Sequence, residues 1–304
     1  MARIDRGFAT PFAASFIFIL AATALATRVA AADADAVKRG EYVFNAAGCE
    51  SCHTDFQNKG PRLAGGEPIK TAFGTFYGPN ITPHPERGIG KWTDEQFDRA
   101  VRHGRDDEGD YLFPVFPFTS FTYMTDADVR DLRAYLATVP PSDAVSKPHD
   151  ISFPFSWRIL QLGWRWLNFK PGPYVPDKAQ TEEWNRGAYL ATALVHCGEC
   201  HTPRGRLGGL EQDRRLAGTV DGPGGHLVPN ITPDNQTGIG NWTVDDIVQY
   251  LATGQDPNGG DAAHEMAEVI QNSTGKMTDP DLKAIAVYLK SLKPVRNVVS
   301  RKAK

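Results

Sequence analysis

The chain has 304 residues, 33 Lys plus Arg against 36 Asp plus Glu, and a formal net charge of −3. The length suggests two domains, and the apolar and charged fractions are those of an ordinary globular protein. No basic patch of the kind that nucleic-acid binding needs is present, so nucleic acid is excluded as a partner.

Residues 1–31 read as a secretory signal. Arg3 and Arg6 supply the positive start, and Phe16 to Ala26 form an apolar run. Small residues at Val29-Ala30-Ala31 and Ala30-Ala31-Ala32 offer a cleavage point. The alternative is an uncleaved anchor, for which the strongly apolar part is short. No later stretch is long and apolar enough to span a membrane. Export predicts a periplasmic location, with membrane association left open.

Downstream, one pattern occurs twice: Cys49-Glu50-Ser51-Cys52-His53 and Cys197-Gly198-Glu199-Cys200-His201. Each reads C-x-x-C-H, the attachment signature of a c-type haem. Two thiols one helical turn apart can each form a thioether to a haem vinyl group. The adjacent His then lies beneath the iron and supplies the proximal nitrogen. A zinc site would need a further Cys or His pair nearby, which neither half has. A redox dithiol would need neither the following His nor two copies. These four Cys are the only ones in the chain, so none remains for a structural disulfide. The expected cofactors are two covalently attached haem c. They would be held by Cys49, Cys52 and His53, and by Cys197, Cys200 and His201, with His53 and His201 on the irons.

The flanking residues repeat with a period near 150 residues. Arg39-Gly40-Glu41-Tyr42 returns as Arg186-Gly187-Ala188-Tyr189. Pro79-Asn80-Ile81-Thr82-Pro83 returns as Pro229-Asn230-Ile231-Thr232-Pro233. Gly88-Ile89-Gly90 with Trp92-Thr93 returns as Gly238-Ile239-Gly240 with Trp242-Thr243. Thr125-Asp126 and Tyr135-Leu136 return as Thr278-Asp279 and Tyr288-Leu289. The order is kept, which predicts an internal duplication of one domain.

Each copy reads as mainly helical. A helix over 36–47 ends at Gly48 and delivers the first Cys pair. A Gly- and Pro-rich loop runs from Gly60 to Gly90, followed by a helix opened by Thr93. A last helix is capped by Thr125, with Val129, Leu132, Tyr135 and Leu136 on one buried face. The second copy repeats this, with Thr243 and Thr278 as caps. The fold class is mainly α, two tandem class I cytochrome c domains, over residues 32–140 and 181–292. Between them, residues 141–180 form a Pro-punctuated linker. Its stretch 155–169 is rich in aromatics (Trp157, Trp164, Trp166, Phe169) with Arg158 and Arg165 interleaved. It reads as a helix packed between the domains, or as a docking surface for a partner protein or a membrane surface. Residues 293–304 form a basic tail expected to fray.

A sixth iron ligand decides between relay and catalyst, since Met raises the potential and an open position admits small ligands. Beyond the signal only Met124, Met266 and Met277 remain. Met266, in the loop ahead of the last helix, is the expected ligand of the second haem, with Met277 and His264 as fallbacks. In the first copy the corresponding loop, Leu112 to Phe118, has no Met. Met124 is the candidate there, with His103 and His84 behind it. Met277 is expected to be a core side chain. The carbonyls of Pro61 and Pro203 are candidates for fixing the proximal His rings, or these residues only shape turns. The Asn-Ile-Thr triplets would bond haem propionates or simply form turns.

The combined motifs, over residues 36–292, resemble the cytochrome c subunits of bacterial periplasmic alcohol, gluconate and aldehyde dehydrogenases and of molybdenum hydroxylases. In that family a Met often stands where this chain has Phe116. The resemblance implies a non-catalytic electron-transfer subunit. Its donor would be a periplasmic dehydrogenase, molybdenum-, quinone- or flavin-dependent. Its acceptor would be quinone, a soluble cytochrome or a terminal oxidase. The competing function is a dihaem peroxidase-like enzyme with one open haem, for which only the missing Met at position 116 speaks.

Overall fold

The computed structural model describes residues 34–301. The signal segment therefore lies outside the described residues. Helix α1 (34–46) is stopped by Gly48, whose φ of 61° turns the chain into α2 (Cys49–His53). The loop expected between Gly60 and Gly90 contains a short antiparallel hairpin, β1 (Pro68–Thr71) and β2 (Gly74–Tyr77). A two-residue strand from the linker, β3 (Asp150–Ile151), adds to it in the order β1-β2-β3. Four-residue strands leave too little alternation to be read from sequence.

Helix α3 (Asp94–His103) starts with a capping box, Thr93 and Gln96 each satisfying the other's backbone N–H. A single turn, α4 (Phe118–Phe121), precedes α5 (Asp126–Leu136), which Thr125 caps through the Asp128 N–H. Helix α6 (Leu160–Asn168) forms inside the linker. Helix α7 (Glu182–Tyr189) runs on as a π-helical turn, Leu190–Leu194, into α8 (Gly198–His201). Then come α9 (Val244–Thr253), with a Thr243–Asp246 capping box, α10 (His264–Asn272) and α11 (Asp279–Ser291). Thr278 takes the N-cap position of α11 but makes no side-chain cap bond, contrary to expectation; its N–H instead faces the Tyr42 hydroxyl at 3.4 Å.

In each half the first helix crosses the last at a glycine. A Cβ at Gly40 would overlap the Asp131 carbonyl, and one at Gly187 would overlap the Ala284 carbonyl. Only glycine lets the two backbones approach this closely. An ion pair flanks each crossing: Arg39 with Asp131, and Arg186 with Asp281 at 2.7 Å. The turn Ile89–Trp92 is held by Arg133, which donates to the Ile89 and Trp92 carbonyls. Its counterpart Ile239–Trp242 is held by Lys290 in the same way.

The segment 293–301 does not hang free. Val295 N donates to Thr232 Oγ1, and Asn297 donates to the Ala217 and Gly218 carbonyls. Basic side chains alone suggested fraying, but Val295 and Asn297 supply the backbone and amide groups that dock. One apolar core then runs through both halves, from Phe44, Leu132 and Met124 to Leu190, Leu282 and Ile285.

Candidate functional site

Cys49 and Cys52 lie one turn apart on α2, Cys197 and Cys200 one turn apart at α8, and all four are free thiols. Burial pushes the Cys49 and Cys200 thiols up to about 12, and Cys52 and Cys197 to about 11. No disulfide joins them. Among the described residues no group of three or more His, Cys, Asp or Glu is placed to hold a metal ion.

His53 and His201 follow directly and are buried. His53 Nδ1 is 2.8 Å from the Pro79 carbonyl, and His201 Nδ1 is 2.8 Å from the Pro229 carbonyl. A carbonyl has no proton to give, so each ring donates from Nδ1 and keeps a lone pair on Nε2. Burial lowers both imidazoles below the ordinary histidine value, against a smaller upward pull from these carbonyls. The expectation that Pro61 and Pro203 would supply the acceptors is overturned. The loop after each motif doubles back, because Gly65 N donates to His53 O and Gly218 N to His201 O. Ile81 N and Ile231 N then bond Leu63 O and Leu216 O, which lays Pro79 and Pro229 on the rings.

The Asn-Ile-Thr triplets behave as turns. Asn80 Oδ1 accepts from Thr82 N and Oγ1, while its Nδ2 donates to the Ser142 and Ala144 carbonyls, both at 2.9 Å. Asn230 accepts from Thr232 and donates to Val295 O and Thr237 Oγ1. Both side chains are spent inside the fold, so neither is free for a propionate.

Met124 is fully buried in the core directly before α5, and Met277 is buried ahead of α11. Met266 lies on α10, half-buried and packed against the same core. Phe116 lies against Phe121, with ring centroids 5.5 Å apart. Two fallback histidines are otherwise engaged. His84 Nδ1 accepts from Glu86 N and Arg87 N, and His264 stacks on His226 at 3.9 Å. His103 sits half-buried at the end of α3.

The two motifs meet at the interface between the halves, a feature not anticipated. Ser51, between the first two cysteines, accepts from Asn272 at the end of α10 (3.0 Å), and Ser273 donates to Ala46 O (2.8 Å). Glu199, between the second pair, accepts from Thr119 and Ser120 of the first half, both at 2.8 Å, and from Arg204 at 2.6 Å. Burial alone would raise the Glu199 carboxyl, and Arg204 with these hydroxyls holds it below the usual carboxylate range instead. His196 lies against Phe121 and within 3.4 Å of Ala47 O. The tyrosines complete a reciprocal clasp. Tyr42 donates to Asp281 at the start of α11, and Tyr189 donates to Asp128 at the start of α5. The signal was present in the repeated Arg-Gly-x-Tyr, whose Tyr had no other assigned task.

Paired free thiols, a following imidazole with its Nε2 lone pair free, and an adjoining apolar core fit a covalently held haem. Fold and donor set define the c-type haem proteins. A cytochrome c family model matches residues 37–140. The chain is 45% identical over 255 residues to a dihaem cytochrome c-type protein of Cereibacter sphaeroides, covering 83% of this chain and 84% of that one. It is 43% identical to the fructose dehydrogenase cytochrome subunit of Gluconobacter japonicus, covering 86% of this chain and 54% of that one. It is 40% identical to the cytochrome c subunit of a quinone alcohol dehydrogenase of Gluconacetobacter polyoxogenes, covering 93% and 61%. The chain thus spans between about half and two thirds of those two dehydrogenase subunits. It belongs to the cytochrome c family, and haem c is the cofactor this membership brings.

Proposed function

We propose that the chain is a dihaem cytochrome c, built from two tandem class I domains related by duplication, that relays electrons as a subunit of a dehydrogenase. The observation that carries this reading is the identical His–Pro carbonyl contact, 2.8 Å in both halves, beside each Cys pair. Cys49, Cys52, Cys197 and Cys200 would hold the two groups. His53 and His201 would be the proximal ligands, and Met124 and Met266 the sixth ligands. When bound, haem supplies one-electron chemistry at its iron. The Pro79 and Pro229 carbonyls fix the tautomer and orientation of each imidazole and raise its basicity toward the metal. The surrounding core excludes water. Ser51 and Glu199, within the motifs, tie each attachment site to the opposite half, so the two sites keep a fixed separation.

The donor in this reading is a dehydrogenase, as the names of the relatives suggest, and its periplasmic location rests on the export signal read at residues 1–31. The acceptor is quinone, a soluble cytochrome or a terminal oxidase. Haem content of the purified chain and the spin states of the oxidised protein test it. Two haems per chain, both low-spin with a Met–iron charge-transfer band, are expected, together with co-purification with a large dehydrogenase. A single haem, or a stable high-spin haem that turns over peroxide, would overturn it.

A further inference from the structure

Helix α6 is built inside out. Its cation, Arg165, points into the protein, where the guanidinium lies 4.6 Å from the ring centroid of Phe169, 5.0 Å from Phe118 and 5.3 Å from Tyr111. Trp164 turns inward too, donating to the Leu207 carbonyl at 2.8 Å. Gln161 Oε1 and Arg165 Nη1 are buried with no hydrogen-bond partner. The opposite face carries Ile159, Leu162, Trp166 and Leu167, and Trp166 is 84% exposed. Phe153 and Trp157 extend this exposed surface from the preceding turn. The helix is therefore not sandwiched between the halves, as one reading of the linker had it.

A helix in a water-facing position puts its polar side chains outward. Here burying a cation and a glutamine while exposing leucine and tryptophan runs against that gradient, so the outward face is fitted to an apolar surrounding. Two features identify it. First, from Ile159 to Leu167 the outward face offers a single side-chain hydrogen-bonding group, the Trp166 indole N–H. Protein interfaces need roughly one hydrogen bond per 100–200 Å², whereas a lipid surface needs none below the headgroups. Second, the sequence between Asp150 and Asp177 holds no acidic residue but carries Arg158, Arg165 and Lys170, in a chain whose acids outnumber its bases. Exposed Lys170, and Arg206 next to exposed Leu207, put positive charge at the rim of the apolar patch. Aromatics over an aliphatic centre with cations at the edge match the chemistry of an anionic bilayer surface.

We propose that residues 153–167 seat the protein on a lipid bilayer. Helix α6 lies in the headgroup plane, with Ile159, Leu162, Trp166 and Leu167 in the acyl boundary. At nine residues it is too short to cross, and no helix among the described residues is long and apolar enough to do so. This seating does not depend on the electron-transfer reading.

The test uses the full haem-loaded chain with vesicles of phosphatidylcholine, alone or with added phosphatidylglycerol. Sedimentation should show binding strengthened by the anionic lipid and weakened by salt, and brominated lipid should quench tryptophan fluorescence. Trp166→Glu and Leu167→Glu should each cut partitioning by about tenfold, with an unchanged haem spectrum reporting an intact fold. Leu162→Gln, a milder change, keeps the test open if either charged variant fails to fold. Absence of binding to both vesicles, or binding undiminished in every soluble variant, would overturn the proposal. So would loss of dehydrogenase co-purification in Trp166→Glu without any vesicle binding by the parent, which would give the face to a protein.

Discussion

After α3 the chain runs through Phe113, Phe116, Phe118 and Phe121 before reaching the only Met of that half, Met124, buried at the threshold of α5. After α9 the chain instead builds a nine-residue helix, α10, that carries Met266. On the other side of each site the halves share one contact, a proline carbonyl that meets the His at 2.8 Å, although Gly48 turns the chain into the first Cys pair and a π-helical turn leads into the second. The groups that attach and orient a cofactor tolerate little change, because their contacts are backbone geometry. The groups that would close its far face are single side chains, and there the two halves differ.

The sharpest way to break this comparison is at the helix crossings. Gly40→Val and Gly187→Val each drive a side chain into a neighbouring backbone carbonyl. Each should cost at least about 4 kcal/mol, read as loss of the cooperative thermal transition. If one is tolerated, the crossings are not equivalent. Next, Met124→Ala and Met266→Ala should each remove one low-spin haem from the spectrum, while Met277→Ala should leave both and only destabilise. The two buried methionines, Met124 and Met277, should lose about 2–5 kcal/mol in chemical denaturation. An unchanged spectrum in Met124→Ala would leave the first site with a different closing group. Glu199→Ala strands Arg204, Thr119 and Ser120 at the interface and should cost about 1–3 kcal/mol. Ser51→Ala, which removes one neutral bond to Asn272, should cost about 1 kcal/mol or less by the same measurement. Smallest, Thr93→Ala and Thr243→Ala should each lose about 1 kcal/mol, equally if the two capping boxes are true counterparts.

Much of this could be read before the fold was known, where one side chain carries the signal. The Cys pairs with their His, the caps Thr93, Thr125 and Thr243, and the helix stop at Gly48 are of that kind. The acceptor of each His was misplaced, at Pro61 and Pro203 rather than Pro79 and Pro229, because a backbone carbonyl leaves no mark in sequence. Which one arrives depends on a loop folding back through Gly65 and Gly218. The docked tail failed for a similar reason: Val295 binds through its N–H and C=O. The inverted α6 shows a third limit. Its period fixes which residues share a face, but not which face looks out.

The clasp of Tyr42 on Asp281 and Tyr189 on Asp128 ties each half's opening helix to the other's closing one. Topologically the molecule is then a ring, closed by hydrogen bonds at two places where the polypeptide itself is open. Its covalent bridge between residues 141 and 180 is only one of several connections. A protease nick there would cut the chain without parting the pieces, which would migrate as one particle until denaturant opened the clasps.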